Sequence, residues 1–170
     1  ASVTWETRTT ITVDSTTDAR DVTPGDQIPQ DASGNTTLRA AINEANALPG
    51  DDIIFLPAGT YAITQGGIGE QGGLTGDFDI TDVNGSLTIR GAGAGVTIIS
   101  GASVERVFHV LAGASLILED VTISGGRVIG SDDGGGIRND GGTVVIRRAV
   151  IRDNVSLDDG GAINNDGVML

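Results

Sequence analysis

The sequence predicts an all-β chain, a right-handed parallel β-helix (a β-solenoid of about four or five coils) with an N-terminal capping α-helix. Three observations predict it. The ten residues Asp132–Gly141 recur at Asp158–Gly167, 26 residues on, with eight of ten positions identical. Each copy leads into a short apolar strand, Val144–Ile146 and then Val168–Leu170. From Gly50 onward, segments of three or four apolar, often β-branched residues alternate with glycines, too short for ordinary hairpins.

The elements follow in order. Ser2 to Val13 reads as one or two strands, with Val3 and Trp5 alternating with polar neighbours. Asp14 to Asn35 is turn-like, with Pro24-Gly25 and Ser33-Gly34. One helix stands out over residues 38–48. Leu38, Ala41, Ile42, Ala45 and Leu48 form a single apolar stripe, Thr36 or Thr37 caps its start, and Pro49-Gly50 ends it. So short a helix is marginal alone, so it must lay that stripe on something, and the open apolar end of the first coil is the natural place. The strands then run from Ile53–Leu56 to Val168–Leu170. Weaker copies of the repeat precede the strong pair, with Asn84-Gly85-Ser86-Leu87 aligning on Gly113-Ala114-Ser115-Leu116 and Val96–Ser100 on Val121–Ser124. Coils stacked about 4.8 Å apart put equivalent residues on one another, Ile137 over Ile163 inside and Asn139 over Asn165 at a corner. Right-handedness follows from the rule for parallel crossovers. The chain divides into a strand extension (1–13), a linker with the capping helix (14–50) and the coils (51–170).

Composition narrows the function. Leu, Ile, Val and Phe number 46 of 170, about 27%, above the roughly 20% below which disorder is expected. The 27 glycines show no collagen period and suit corners where φ is positive. All ten basic residues are Arg, which excludes lysine Schiff bases, a lysine P-loop and lysine isopeptide bonds. With no Cys there are no disulfides, thiolate metal sites or cysteine nucleophiles. A net charge of −13 argues against nucleic acid as a partner. No apolar run is long enough to span a membrane.

The residues of the helix and first strands, Thr36-Thr37-Leu38-Arg39-Ala40-Ala41-Ile42-Asn43-Glu44-Ala45-Asn46 and then Gly50–Tyr61, resemble the start of the CSLREA-type bacterial β-helix proteins. Gly91–Ile99 continues the likeness, and Gly160-Gly161-Ala162-Ile163 with Ile151-Arg152-Asp153-Asn154 resembles the GGAI and FxxN repeats of polymorphic outer-membrane proteins. Thr36 stands where that family has Cys and Ala40 where it has Glu. The resemblance implies a secreted or surface-displayed bacterial β-helix, often part of a longer chain. It implies no catalytic residue. A start at Ala1-Ser2-Val3 suits a mature N-terminus after signal cleavage.

Among polar residues, the pairs Asp132/Asp133 and Asp158/Asp159 are the sharpest feature. In-register coils bring all four carboxylates to one corner, where they are either solvated turns or candidate Ca²⁺ ligands; no other cofactor is expected. Asp77, Asp79 and Asp82 form a second acidic stretch, with Asp77 and Asp79 on one strand face, expected to be solvated. His109, between Phe108 and Val110, is expected on the surface. Gly66–Gly76 reads as a loop excursion, and sequons begin at Asn35, Asn84 and Asn154. Paired carboxylates also suit glycoside hydrolysis, which keeps a carbohydrate-binding or polysaccharide-degrading β-helix as a rival. Five aromatic residues supply few sugar platforms. The expectation is therefore a non-enzymatic extracellular structural protein, with surface glycans as secondary partners. The last coil breaks off inside the strand Val168-Met169-Leu170, an uncovered edge that invites pairing. Val168, Met169 and Leu170 are the expected contact at one end, and a donated strand carrying Val3 and Trp5 at the other, giving a head-to-tail homopolymer. The alternative is a non-catalytic segment of a larger adhesin.

Overall fold

The computed structural model describes residues 8–67, 69–130 and 132–170. Val3 and Trp5, the expected contact at the N-terminal end, lie outside them. Strand β1 (Thr10–Thr12) precedes helix α1 (Leu38–Ala47). Then come β2 (Asp52–Leu56), β3 (Gly59–Ala62) and β4 (Phe78–Ile80), and β5 (Leu87–Gly91), β6 (Thr97–Ser100) and β7 (Phe108–Val110). They are followed by β8 (Ser115–Glu119), β9 (Thr122–Ser124), β10 (Arg127–Val128) and β11 (Ile137–Asn139). The last group is β12 (Thr143–Arg147), β13 (Val150–Arg152), β14 (Val155–Ser156) and β15 (Ile163–Asn165), after which β16 (Val168–Met169) returns to the first sheet.

Three parallel sheets hold almost all of these strands. Their orders are β1-β2-β5-β8-β12-β16, β3-β6-β9-β13 and β4-β7-β11-β15, with β10-β14 as a short parallel pair beside them. After β1 the chain visits the three sheets in the same order on every circuit. Strand pairing joins each circuit to the one before, so equivalent residues form ladders. Ile11, Ile54, Ile89, Leu118 and Ile146 make one; Leu87, Leu116, Val144 and Met169 a second; Tyr61, Ile99, Ile123 and Ile151 a third; Phe78, Phe108, Ile137 and Ile163 a fourth. Together they form the core. The Phe78 and Phe108 rings pack tilted, with centroids 5.6 Å apart. As the repeat predicts, Ile137 pairs with Ile163, and Asn139 sits on Asn165, donating from Nδ2 to Oδ1 at 2.7 Å. Gly134 and Gly160, equivalent in the repeat, have φ of +67° and +63°, and a Cβ at either would lie 2.5 Å from the carbonyl oxygen three residues on.

The two ends differ. At one, Thr37 is the cap of α1, its hydroxyl accepting from the Ala40 N–H at 3.0 Å. The apolar stripe Leu38, Ala41, Ile42 and Ala45 is buried, and α1 packs on β2 and β4. Arg39, Asn43 and Glu44, off the stripe, are buried too, because the turn-rich segment before the helix folds over that side. The Glu44 carboxylate accepts from Gly25 and Gln27 backbone N–H groups, while burial raises its pKa. At the other end the ladders finish on Ile146, Ile151, Ile163 and Met169, which are only partly buried.

Each fully buried ladder residue loses both transfer energy and packing if truncated. Ile123→Ala should cost about 2–5 kcal/mol in urea denaturation. Ile151→Ala, one circuit on and half covered, should cost clearly less in the monomer. Equal losses would mean that the last layer is as buried as the interior.

Candidate functional site

The polar groups gather on the outer face of the β4-β7-β11-β15 sheet. In a strand triplet such as Phe78-Asp79-Ile80, alternation sends the outer two side chains to the core and the middle one outward. Register puts four such middle residues in line: Asp79, His109, Arg138 and Asn164. They do not all face solvent. The chain between β3 and β4 folds back over the face, built around Glu70, whose carboxylate accepts from the N–H groups of Gly72, Leu74 and Thr75. It is pinned by α1. The Arg39 guanidinium donates to the carbonyls of Gly73 (3.1 Å) and Gly76 (2.6 Å), pairs with Asp18 at 2.6 Å, and lies over the Phe78 ring. Asn43 donates to the Gly73 carbonyl and Asn46 to that of Asp79.

From beneath this cover out to its rim runs a chain of alternating charge, buried at Asp77, Asp79, Arg106 and His109 and half-exposed at Asp132, Arg138 and Asp140. Asp79 Oδ1 lies 3.2 Å from His109 Nδ1, and His109 Nε2 lies 3.1 Å from Asp140 Oδ2. Asp140 Oδ1 accepts from Arg138 Nε at 2.8 Å, and Arg138 Nη1 donates to Asp132 Oδ1 at 2.6 Å. Arg106 Nη2 lies 2.8 Å from the same Asp132 oxygen, and Arg106 Nη1 donates to Asp77 Oδ2 at 3.1 Å. The chain closes on its own start, because Asp77 and Asp79 are neighbours. Alternation fails at that seam, where two buried carboxylates meet. Burial, and then the Asp79 charge, push the Asp77 pKa up to about 7. Burial alone would depress the His109 imidazolium, but the flanking Asp79 and Asp140 carboxylates more than offset it and raise its pKa. Burial opposes ionisation of Asp140 as well, and Arg138 and His109 overcome it, lowering that pKa.

Three buried polar atoms here lack an aligned hydrogen-bond partner: Asp79 Oδ1, Glu105 Oε2 and Arg106 Nη2. The Arg106 atom is close to Asp132, and the Asp79 atom to His109, without the angle of a hydrogen bond. A polar cavity of about 140 Å³ adjoins them, lined by Asp77, Glu105, Arg106, His109, Asp132 and Arg138, with residues 69–71 as its roof.

This corrects two expectations. Asp77 and Asp79 are buried rather than solvated, and His109 is not a surface residue. Alternation correctly sends Asp79 and His109 away from the core, but it does not show that the face is covered. The four-carboxylate corner is also corrected. Asp133, Asp158 and Asp159 bring carboxylate oxygens within 4.8 Å of one another, half-exposed or exposed. Asp132 turns away because Arg106 and Arg138 hold it. At the end layer, Val168 and Leu170 are 51% and 75% exposed, while Met169 pairs with Val144 in register. Of the sequons, Asn154 is committed to the backbone of Gly126 and Ile123, Asn35 bonds Asp31, and Asn84 lies in an exposed turn. Among the described residues no helix is long and apolar enough to cross a membrane. Compared with protein-family models, curated proteins and solved structures, the chain matches none.

Asp77 and His109 both bind their protons more tightly in the folded chain than in the unfolded one, so both favour folding at low pH. The Asp77 contribution is complete below about pH 4 and is lost as pH rises through about 7. The His109 contribution is lost above its ordinary titration range. In chelator-containing buffer, the unfolding free energy should therefore fall between pH 4 and 8, roughly, and Asp77→Asn should flatten the fall. Urea titrations across that range measure it. An unchanged slope in Asp77→Asn would remove Asp77 as the cause.

Proposed function

We propose that the protein is an extracellular structural β-solenoid, a right-handed parallel β-helix, that associates head to tail through its ends. The fixed order in which the chain visits three parallel sheets supports the β-helix, and the strong bias of parallel crossovers supports the hand. One observation carries the assembly reading: among the described residues, β1 and β16 are the outer strands of one sheet whose strands all run in the same direction. Helix α1 packs on β2 and β4, and the layer of Ile146, Ile151, Ile163 and Met169 is half-buried. Pairing β16 of one copy with β1 of the next continues that sheet, with Val168, Met169 and Leu170 at the join. Such a contact is heterologous and propagates into a filament unless it closes as a ring.

The resemblance of residues 36–61 and of the Gly160–Ile163 repeat supports a place at the cell surface. The aromatic side chains weigh against glycan binding as the main role, since Tyr61, Phe78 and Phe108 lie in the core. The Asp133–Asp158–Asp159 corner is a candidate Ca²⁺ contact on the same reading.

Sedimentation velocity and negative-stain microscopy test the assembly. The chain should form linear or ring-shaped oligomers whose size grows with concentration, and Val168→Lys with Leu170→Asp should yield monomers of unchanged circular dichroism. A 170-residue chain that stays monomeric at every concentration would overturn the self-assembly reading.

A further inference from the structure

We propose that Asp77, Asp79 and His109 form a binding site for a divalent transition-metal ion, Zn²⁺ being the natural occupant, which clamps the excursion between β3 and β4 onto the β4-β7-β11-β15 sheet. The first argument is charge. Asp77, Asp79, Asp132 and Asp140 face Arg106, Arg138 and His109, so the closed chain has more carboxylates than cations, and the buried Glu105 adds another. The excess falls at the Asp77/Asp79 seam.

The second argument is Asp79 Oδ1. Asp79 is 0% exposed, and this oxygen has no aligned donor although it points at His109 Nδ1, 3.2 Å away. That spacing, poor as a hydrogen bond here, is what two donors on one metal show: bonds of about 2.0–2.2 Å at tetrahedral or octahedral angles put ligand atoms about 3.0–3.5 Å apart. Asp77 offers a third ligand atom within 4.8 Å of the other two. A mixed imidazole and carboxylate set selects a transition metal rather than Ca²⁺.

The surroundings hold these groups as ligands are held. Gly73 N–H fixes Asp79 through Oδ2 at 2.8 Å, leaving Oδ1 directed at the seam. Asp140 holds the far nitrogen of His109, and Arg138 holds Asp140, the carboxylate–histidine arrangement that orients a metal-binding imidazole. Arg106 engages Asp77 through Oδ2. The adjoining cavity, which Asp77 and His109 both line, has room for water as the remaining ligands, and the unpaired Glu105 Oε2 is an acceptor for such a water. Asp77 ends the excursion, and Asp79 and His109 belong to consecutive circuits, so one ion would tie the foot of the excursion to both circuits.

The test uses the full chain after chelator treatment, titrated with Zn²⁺ or Co²⁺ alone. One ion per chain should bind, the Co²⁺ form should show visible d–d absorption of nitrogen and oxygen coordination, and Tm should rise by about 5 °C or more at 100-fold excess over Kd. His109→Gln and Asp79→Asn should abolish the absorption and the shift. Combined Asn substitution of Asp133, Asp158 and Asp159 should leave both intact. Should the interior variants fail to fold, the wild-type spectrum decides alone. No absorption and no Tm shift in the wild type would overturn the proposal, as would a signal lost only in the surface variant.

Discussion

Parallel stacking in register imposes the constraint on which this structure depends: every side chain lies about one strand spacing, roughly 4.8 Å, from its equivalents above and below. Apolar positions gain from this, since Ile on Ile or Phe on Phe buries both. Charged positions lose unless the sign changes from circuit to circuit. The outward ladder of the first sheet obeys the rule. Phe55, Arg90, Glu119 and Arg147 follow one another in register, with the Glu119 carboxylate held between two guanidiniums and its pKa lowered by them. The third sheet obeys it from Asp79 through His109, but Arg138 follows His109, whose pKa is raised, and the Asp140 carboxylate lies between them.

The same constraint explains why the buried charge lies where it does. A solvated ladder tolerates a mismatch because water screens it. The chain between β3 and β4 shields Asp77, Asp79 and His109 from bulk solvent, so the first two circuits must balance much of their charge internally. Helix α1 therefore has two tasks. Its apolar stripe closes the core, and Arg39, Asn43 and Asn46 hold the cover in place through backbone carbonyls. Arg39 is fully buried, and its pairing with Asp18 and its contacts with the carbonyls of Gly73, Gly76 and Asp77 keep that charge satisfied.

Much of this was legible in the sequence where a local rule governs. The near-identical repeat specified Ile137 on Ile163 and Asn139 on Asn165, because in-register stacking leaves an identical copy one choice. The helix was legible from its stripe and the Thr37 cap. The covered site was not. Asp79 and His109 are 30 residues apart in circuits whose sequences have diverged, so nothing in the chain marks them as partners. Alternation reports which face a residue takes, not whether another segment lies on that face. Asp132 departs from the expected corner for a related reason: it is adjacent to Asp133, but Arg106 from the preceding circuit decides its direction. The glycines around residues 66–76 were the available signal, since an excursion of that length beside two acidic residues has to lie on something.

The match between 132–141 and 158–167 has a genetic consequence. The unit that repeats is the 26-residue circuit carrying such a segment. Duplicating or deleting a whole circuit would change the length of the stack by roughly one strand spacing, about 4.8 Å, and would leave its neighbours facing residues much like those they faced before. Length in such a protein becomes a heritable, graded trait. Slippage between repeated DNA segments can adjust it while the covered end, with its buried charges, stays as it is.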